Sequence, residues 1–318
     1  MQTLHPLPTQ LATKPFTVER ARSAGLTRGR LRRADVEHIG RGLYRPSTWD
    51  FDLEDAARAL SEATPGAWVS HVTAARLRNS CLPAWLSDST ELHLSKPKAL
   101  PGPRRKGIRG HRVLAGPGEV EFVDGIWLST GARTWLDMAR LLPLNDLVAM
   151  GDELIRLPRP GLEGREHPHE RVDSLRAMIA RHPNLQGVVR ARQALDLMRV
   201  GADSAPETFL RLAMLDAGLP EPELQLSLRP GDTRSPSADL GFRLRRVAIQ
   251  YDGGHHLQEP QQLSDRRRDK AFEAAGWSVI LLDRLDLDDD FATALRRIKR
   301  ALRSAAMDPA AASGFATA

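Results

Sequence analysis

Apolar residues recur at helical spacing over several stretches of this chain and alternate at strand spacing over others. The spacing predicts helices over Leu53–Thr64, His71–Arg78, Arg133–Leu141 and Asn145–Ile155, with strands at Glu91–Ser95 and Ile126–Leu128 between them. Pro158–Pro168 is rich in proline, glycine and charge, as a linker or exposed loop is. Helical patterns return over His169–Arg181 and Gln186–Val200. The last third predicts a helix over Glu207–Ala217, strands at Glu223–Leu228, Ser237–Phe242 and Arg246–Asp252, and a helix over Leu263–Ala275. A strand over Trp277–Leu282 and a helix over Phe291–Ala301 follow. That order describes an α/β sandwich with a mixed sheet. Its run Val-Ala-Ile-Gln-Tyr-Asp-Gly, ending at Gly253, stays apolar almost to its end, as a buried strand does when it delivers polar groups to a sheet edge.

The N-terminal pattern is different. Thr17–Ala24 forms a short predicted helix ended by Gly25, and Thr27 can cap a second, arginine-rich helix to Ala34. Gly40, Gly42 and the Leu43-Tyr44 pair before Pro46 then suit a small hairpin. Two helices and a hairpin are the ingredients of a winged helix, with Arg28, Arg30, Arg32 and Arg33 on or beside its second helix and Arg41 and Arg45 in the hairpin. A small helical cap on the next domain is the alternative. The expected divisions are 10–48 (winged-helix-like), 49–157 (middle α+β), 158–202 (linker and connecting helices), 203–304 (α/β) and 305–318 (a frayed, alanine-rich tail).

Charge narrows the partners only slightly. The 318 residues carry 46 Lys and Arg against 40 Asp and Glu, a formal charge of +6. Eight arginines lie between Arg20 and Arg45, and seven basic residues without an acid lie between Lys96 and Arg112. Such blocks suit a polyanion, although a solvated surface explains them equally well. The excess of arginine over lysine, 40 to 6, also follows from a genome rich in G and C. Cys81 is the single cysteine, which leaves no intramolecular disulfide and no cysteine-cluster zinc site. The start has no signal-peptide pattern and no run of 18 apolar residues occurs, so a non-membrane protein of a reducing cytoplasm is expected. His71 sits at a helix start, where capping or packing is the ordinary role, and His93 and His111 stand isolated.

The chemistry-bearing residues gather in the last third. Ser204 to Glu207 fits a capping box, yet Glu207 also lies at the edge of the face that Leu210 and Met214 bury. Strand alternation turns Asp239 away from Leu240 and Phe242, and puts Gln250 and Asp252 on the face opposite Val247, Ile249 and Tyr251. A hairpin of this length can bring Asp239 beside Gln250 or Asp252. Gly253-Gly254 breaks the strand before His255-His256, and the next helix carries Asp265, Arg268, Asp269 and Lys270.

At Asp239, Gln250-Tyr251-Asp252-Gly253 and His256, with the Ser204-to-Glu207 helix opening, Asp265 with Arg268, and Gly276-Trp277, residues 204–303 resemble a known domain. It is the very-short-patch-repair-like endonuclease domain of the restriction-endonuclease-like fold. Residues 16–155 resemble, more weakly, the AbiEi antitoxin-like DNA-binding family, through Arg41–Pro46 and Ser70–Ala75. The first resemblance implies a three-layer α/β/α domain with a mixed sheet. In that fold an acid on the first helix, an acid on the second strand, and an acid-x-lysine pair on the third surround a divalent ion. Glu207 and Asp239 take the first two places, and the third becomes Gln250-x-Asp252. Related domains commonly have glutamate where this chain has Gln250, so one formal negative charge is lost, and Asp252 stands where lysine is expected.

The resemblance implies Mg2+, with Mn2+ able to substitute, held by Asp239, Gln250 and Asp252. It makes His256 an acid–base group or phosphate contact. Arg268 or Lys270 is then a phosphate clamp, although salt bridges with Asp265 or Asp269 are the ordinary alternative. Zinc on Asp252, His255 and His256 fits less well, because adjacent histidines on an extended segment point apart. The expected function is a DNA-binding protein with a divalent-metal-dependent endonuclease-like domain. A non-catalytic DNA-binding regulator or antitoxin is the first alternative, and a protein-interaction scaffold the second. A homodimer or a toxin partner is left open.

Overall fold

The computed structural model describes residues 6–105, 107–159, 163–232, 234–253 and 259–306, with side chains of the last stretch described over 265–305. The chain packs as two compact units, Met1–Pro143 with Glu170–Gln193, and Leu144–His169 with Ala194–Ala318.

The first unit opens with strand β1 (Phe16–Thr17), helix α1 (Val18–Ser23), and the hairpin β2 (Val36–Gly40) and β3 (Leu43–Pro46). These strands form an antiparallel sheet in the order β1-β3-β2. Thr17 caps α1 by accepting the Arg20 N–H, and Leu11, Phe16, Ala21, Leu31 and Val36 fill the small core beside it. The arginine-rich helix expected after Thr27 is not formed. A single 3-10 turn, Arg30–Arg32, stands there. Its brevity has a local cause: Leu31 is drawn into the core, Arg33 is already extended, and Arg30 is clamped by Asp35 through bonds of 2.8 and 2.6 Å.

Helix α2 (Leu53–Glu62), strand β4 (Trp68–Val69), helices α3 (His71–Leu77) and α4 (Ala84–Ser87), strands β5 (Leu92–Pro97), β6 (Ile108–Val113), β7 (Val120–Val123) and β8 (Ile126–Ser129), and helix α5 (Gly131–Met138) follow. The five strands form one mixed sheet, β6-β5-β4-β8-β7, in which β5–β6 and β4–β8 are parallel. Beside this sheet lies a buried polar network: Arg133 donates to Asp137 at 2.9 Å and to Glu119 at 2.6 Å, and Glu119 also meets His182 at 2.9 Å.

Helix α6 (Leu144–Ile155) was expected in the middle domain, but it packs in the second unit. Helices α7 (Val172–Arg181) and α8 (Val188–Leu197) precede the α/β region. That region comprises α9 (Ala205–Asp216), β9 (Glu223–Ser227), β10 (Ser237–Phe242), β11 (Val247–Tyr251), α10 (Glu259–Ala274), β12 (Ser278–Leu282), α11 (Arg284–Asp288) and α12 (Ala292–Ala306). The sheet order is β12-β11-β10-β9, with β11 and β12 parallel and the other pairs antiparallel. Leu210 and Met214 of α9 and Ala294 and Ile298 of α12 pack on Leu240, Val247, Ile249 and Ile280. A second cluster, Leu226, Ala238 and Ala248, packs against Phe272 of α10. Helices thus cover the sheet in an α/β/α arrangement around a mixed sheet, the coarse architecture expected from the sequence.

Helix α6 joins this unit through charge as well as packing. The Asp152 carboxylate accepts from Arg211 at 3.1 Å and Thr208 at 2.9 Å, both on α9, and from the Arg199 N–H at 2.7 Å. Asp152 and Arg211 are both buried, so neither can be left alone. Among the described residues no helix is long and apolar enough to cross a membrane.

Candidate functional site

Glu207 at the N-terminus of α9 and Asp239 of β10 lie close enough for the charge of one to act on the other, and the β10–β11 hairpin brings Gln250 to the strand beside Asp239. Ser204 caps α9, and Pro206 occupies the first turn, where its missing N–H costs nothing. Glu207 is buried and turns back on the cap: one carboxylate oxygen accepts from the Ser204 hydroxyl at 2.8 Å, the other from the Asp203 N–H at 3.0 Å. The Ser204 cap forms, but the Glu207 carboxylate accepts from the Asp203 N–H in place of the Ser204 N–H, so the reciprocal capping box is not completed.

Asp239 comes from β10. The registered pairing of β10 with β11 runs from Phe242–Val247 to Leu240–Ile249. Beyond it the Asp239 Oδ2 accepts the Tyr251 N–H at 2.8 Å, so a side chain takes the place of the next ladder bond. Extending the register by one residue sets Gln250 across from Asp239. Gln250 is buried; its Nε2 donates weakly to the Ser237 carbonyl at 3.5 Å, and its Oε1 is buried with no hydrogen-bond partner among the described residues.

The electrostatics show how closely the two acids interact. The Glu207 pKa is pushed up to about 7, first by burial and then by the negative charge of Asp239. Burial raises Asp239 as well, opposed by the Tyr251 N–H and by the charges of Arg268 and Arg159. Buried Glu207, half-buried Asp239 and the amide oxygen of Gln250 are the oxygen donors of this region. Such a set suits a hard divalent cation.

The remaining candidates are placed less centrally. Asp252 lies just past β11 and is exposed; its N–H continues the strand by donating to Leu282 at 2.8 Å. It is therefore not part of the buried group, although alternation put it on the Gln250 face. His255 and His256 lie outside the described residues. Arg268 is paired with Asp265 at 3.2 Å and Asp269 at 3.6 Å, while its charge also acts on Asp239. Lys270 is exposed. In the first unit Arg28, Arg32 and Arg41 are exposed and Arg33 is half-buried. Arg30 and Arg45 are engaged by Asp35 and Glu37 at 2.6 and 2.7 Å.

Sequence reasoning missed Arg159 and Asp203. The segment expected to be a linker carries Arg159, which pairs with Asp203, next to the Glu207 helix cap. It also missed a cluster in the first unit. His71, His93 and His111 bring one ring nitrogen each within 4.8 Å of one another, close enough to hold a metal ion. No spacing motif announces them: α3, β5 and β6 each supply one, and only the sheet joins them.

No protein-family model matches the chain, and no solved structure matches it. The chain is similar to two uncharacterized proteins of Mycobacterium tuberculosis, MT2308 of strain CDC 1551 and Rv2248 of strain H37Rv. Each is 27% identical over 182 residues, which span 57% of this chain and 64% of the relative.

Proposed function

We propose that the protein acts on DNA and that its second unit is an endonuclease-like domain whose cation site, of the magnesium class, lies at Glu207, Asp239 and Gln250. The observation that carries this reading is the buried Oε1 of Gln250, without a partner among the described residues, on the strand next to Asp239, together with two acids of raised pKa: Glu207 through burial and the charge of Asp239, and Asp239 through burial. A bound cation relieves both penalties at once. Asp239, already ionisable and held by the Tyr251 N–H, would be the principal ligand, with the Gln250 amide oxygen and Glu207 beside it.

Magnesium, or manganese in its place, supplies Lewis-acid stabilisation of phosphate charge and an activated water when bound. The chain's own groups prepare the place for a phosphodiester. The Tyr251 N–H fixes the Asp239 carboxylate in one orientation. Glu207, near half-protonated at pH 7, can release or accept a proton as charge at the site changes. Arg268, half-buried and acting on Asp239 through its charge, would meet a phosphate oxygen by exchanging its acidic partners Asp265 and Asp269 for it. The exposed Arg28, Arg32 and Arg41 of the first unit offer phosphate contacts that do not depend on base sequence.

A second reading, a non-catalytic DNA-binding regulator or antitoxin, draws support from two specific residues. Gln250 brings no charge to the cation, and Asp252 is an exposed acid where the resembled nucleases have lysine. Incubation of duplex and mismatched DNA with the full chain and magnesium or manganese separates the two. Metal-dependent cleavage that Asp239→Ala removes supports the enzyme. DNA binding without cleavage, weakened by Arg28→Ala and Arg32→Ala, supports the regulator.

A further inference from the structure

The first unit holds a second constellation whose chemistry differs from that of the acidic site. His71 opens α3, His93 lies on β5 and His111 on the neighbouring parallel strand β6. The β5–β6 register sets His93 beside Arg109 and Ser95 beside His111, so the two imidazoles share a face one pair apart. His93 Nδ1 and His111 Nε2 stand 3.1 Å apart. The His71 ring stacks on His111 with centroids 3.6 Å apart and planes 11° from parallel. His71 and His93 are buried, so the group is not an accident of flexible surface side chains.

We propose that His71, His93 and His111 form a binding site for a borderline divalent transition ion of the zinc class. Three lines of structure converge on it. The first is separation: two nitrogens each about 2.0–2.1 Å from a tetrahedral zinc are roughly 3.3 Å apart, and the His93–His111 pair is close to this. The second is the surrounding shell. The ring nitrogens turned away from the cluster face oxygen acceptors, His93 Nε2 towards Glu91 at 3.5 Å and His71 Nδ1 towards Ser70 at 2.9 Å and Asp137 at 3.8 Å. Carboxylates behind the histidines fix the tautomer and raise the basicity of a metal-bound imidazole. The Asp137 Oδ2 is itself buried and has no hydrogen-bond partner among the described residues, as a carboxylate waiting on a metallated histidine has.

The third is strain. His71 has a φ of 50°, in the left-handed region, at the first position of a helix. A bulky residue is held there only when its surroundings require it, and such residues concentrate at functional sites. The nitrogen donors choose the ion. Imidazole suits zinc, copper, nickel and iron, whereas magnesium prefers oxygen. Parallel rings aim their lone pairs side by side, so closing the shell requires the His71 ring to tilt out of its stack on His111.

The test uses the full chain, stripped with a chelator and titrated with zinc, and separately with cobalt as a coloured substitute. A tetrahedral cobalt spectrum, saturating at one equivalent, is expected for the wild type. His93→Gln and His111→Gln should each abolish the spectrum. Glu91→Gln, at a half-exposed position that tolerates change, should keep the stoichiometry and weaken zinc by about tenfold to a hundredfold. Zinc binding unaltered in the His93→Gln/His111→Gln double variant overturns the assignment. So does failure of the folded wild type, checked by circular dichroism, to bind zinc at micromolar concentration.

Discussion

The Asp239 carboxylate is held by the main-chain N–H of Tyr251 at 2.8 Å, across the point where β10 and β11 leave their register. A neutral donor therefore fixes the direction of the carboxylate, and its charge remains to act on Glu207. Asp239→Asn keeps an acceptor for that N–H and removes the charge. The Glu207 pKa should fall from about 7 towards its ordinary value, as followed by carbon-detected NMR of the side-chain carboxyl. A Glu207 titration unmoved by this change would show that the two acids are not neighbours.

Stability of the metal-free protein should depend on Glu207 in a defined window. Its folded pKa of about 7 lies above the ordinary 4.5, so the folded state holds the proton more tightly. The corresponding stability is fully present below pH 4.5 and is lost as pH rises through 7. Each pKa unit is about 1.4 kcal/mol, so the loss is on the order of a few kcal/mol. Glu207→Gln should flatten this part of a urea-unfolding pH profile. An identical slope in wild type and variant would show that another group sets it.

The Asp152–Arg211 pair predicts an asymmetric mutational response. Both side chains are buried and bonded at 3.1 Å. Asp152→Ala removes the buried carboxylate of the pair and leaves the Arg211 guanidinium with the more exposed Glu221 at 3.3 Å, at an expected cost of about 3 kcal/mol. Replacing both by apolar residues of matching size should cost much less. Chemical denaturation of the two variants checks the difference, and equal destabilisation contradicts it.

Gly241 lies in β10, two residues from Asp239, where the strands are tightly packed. A Cβ there would meet the Val247 carbonyl oxygen at 2.7 Å and the Leu226 Cδ1 at 3.0 Å. The first neighbour is backbone and cannot rotate away. Gly241→Ala should destabilise the second unit by about 1–3 kcal/mol and loosen the hairpin that carries Asp239. A thermal midpoint equal to that of the wild type would contradict the close approach.

Much of the second unit was legible because its signals are local. Apolar runs such as Val247–Ile249, glycine stops and the Ser204 cap fix their elements within a few residues, and the four expected strands form. The grouping of Glu207 with Asp239 was expected only from the resemblance to the endonuclease domain, because no local pattern ties a helix cap to a strand that follows about thirty residues later. The position of Asp252 did not follow, because alternation gives a face and says nothing of where burial ends. The Thr27 helix was overestimated, since capping and arginine content say nothing of the pull of Leu31 into the core or of Asp35 on Arg30. Strand β6 was hidden within a basic block, and with it the partnership of His111 and His93. Residues distant in sequence and joined only by sheet pairing leave no periodic trace.

The affinity of the full chain for magnesium, measured by calorimetry on wild type, Asp239→Ala and Gln250→Glu, tests the proposed site most directly. A carboxylate at 250 restores a charge next to Asp239, so Gln250→Glu should bind magnesium about tenfold tighter or better, and Asp239→Ala should bind none at the acidic site. Equal affinity in all three proteins would place the cation elsewhere and remove the basis for an endonuclease-like centre.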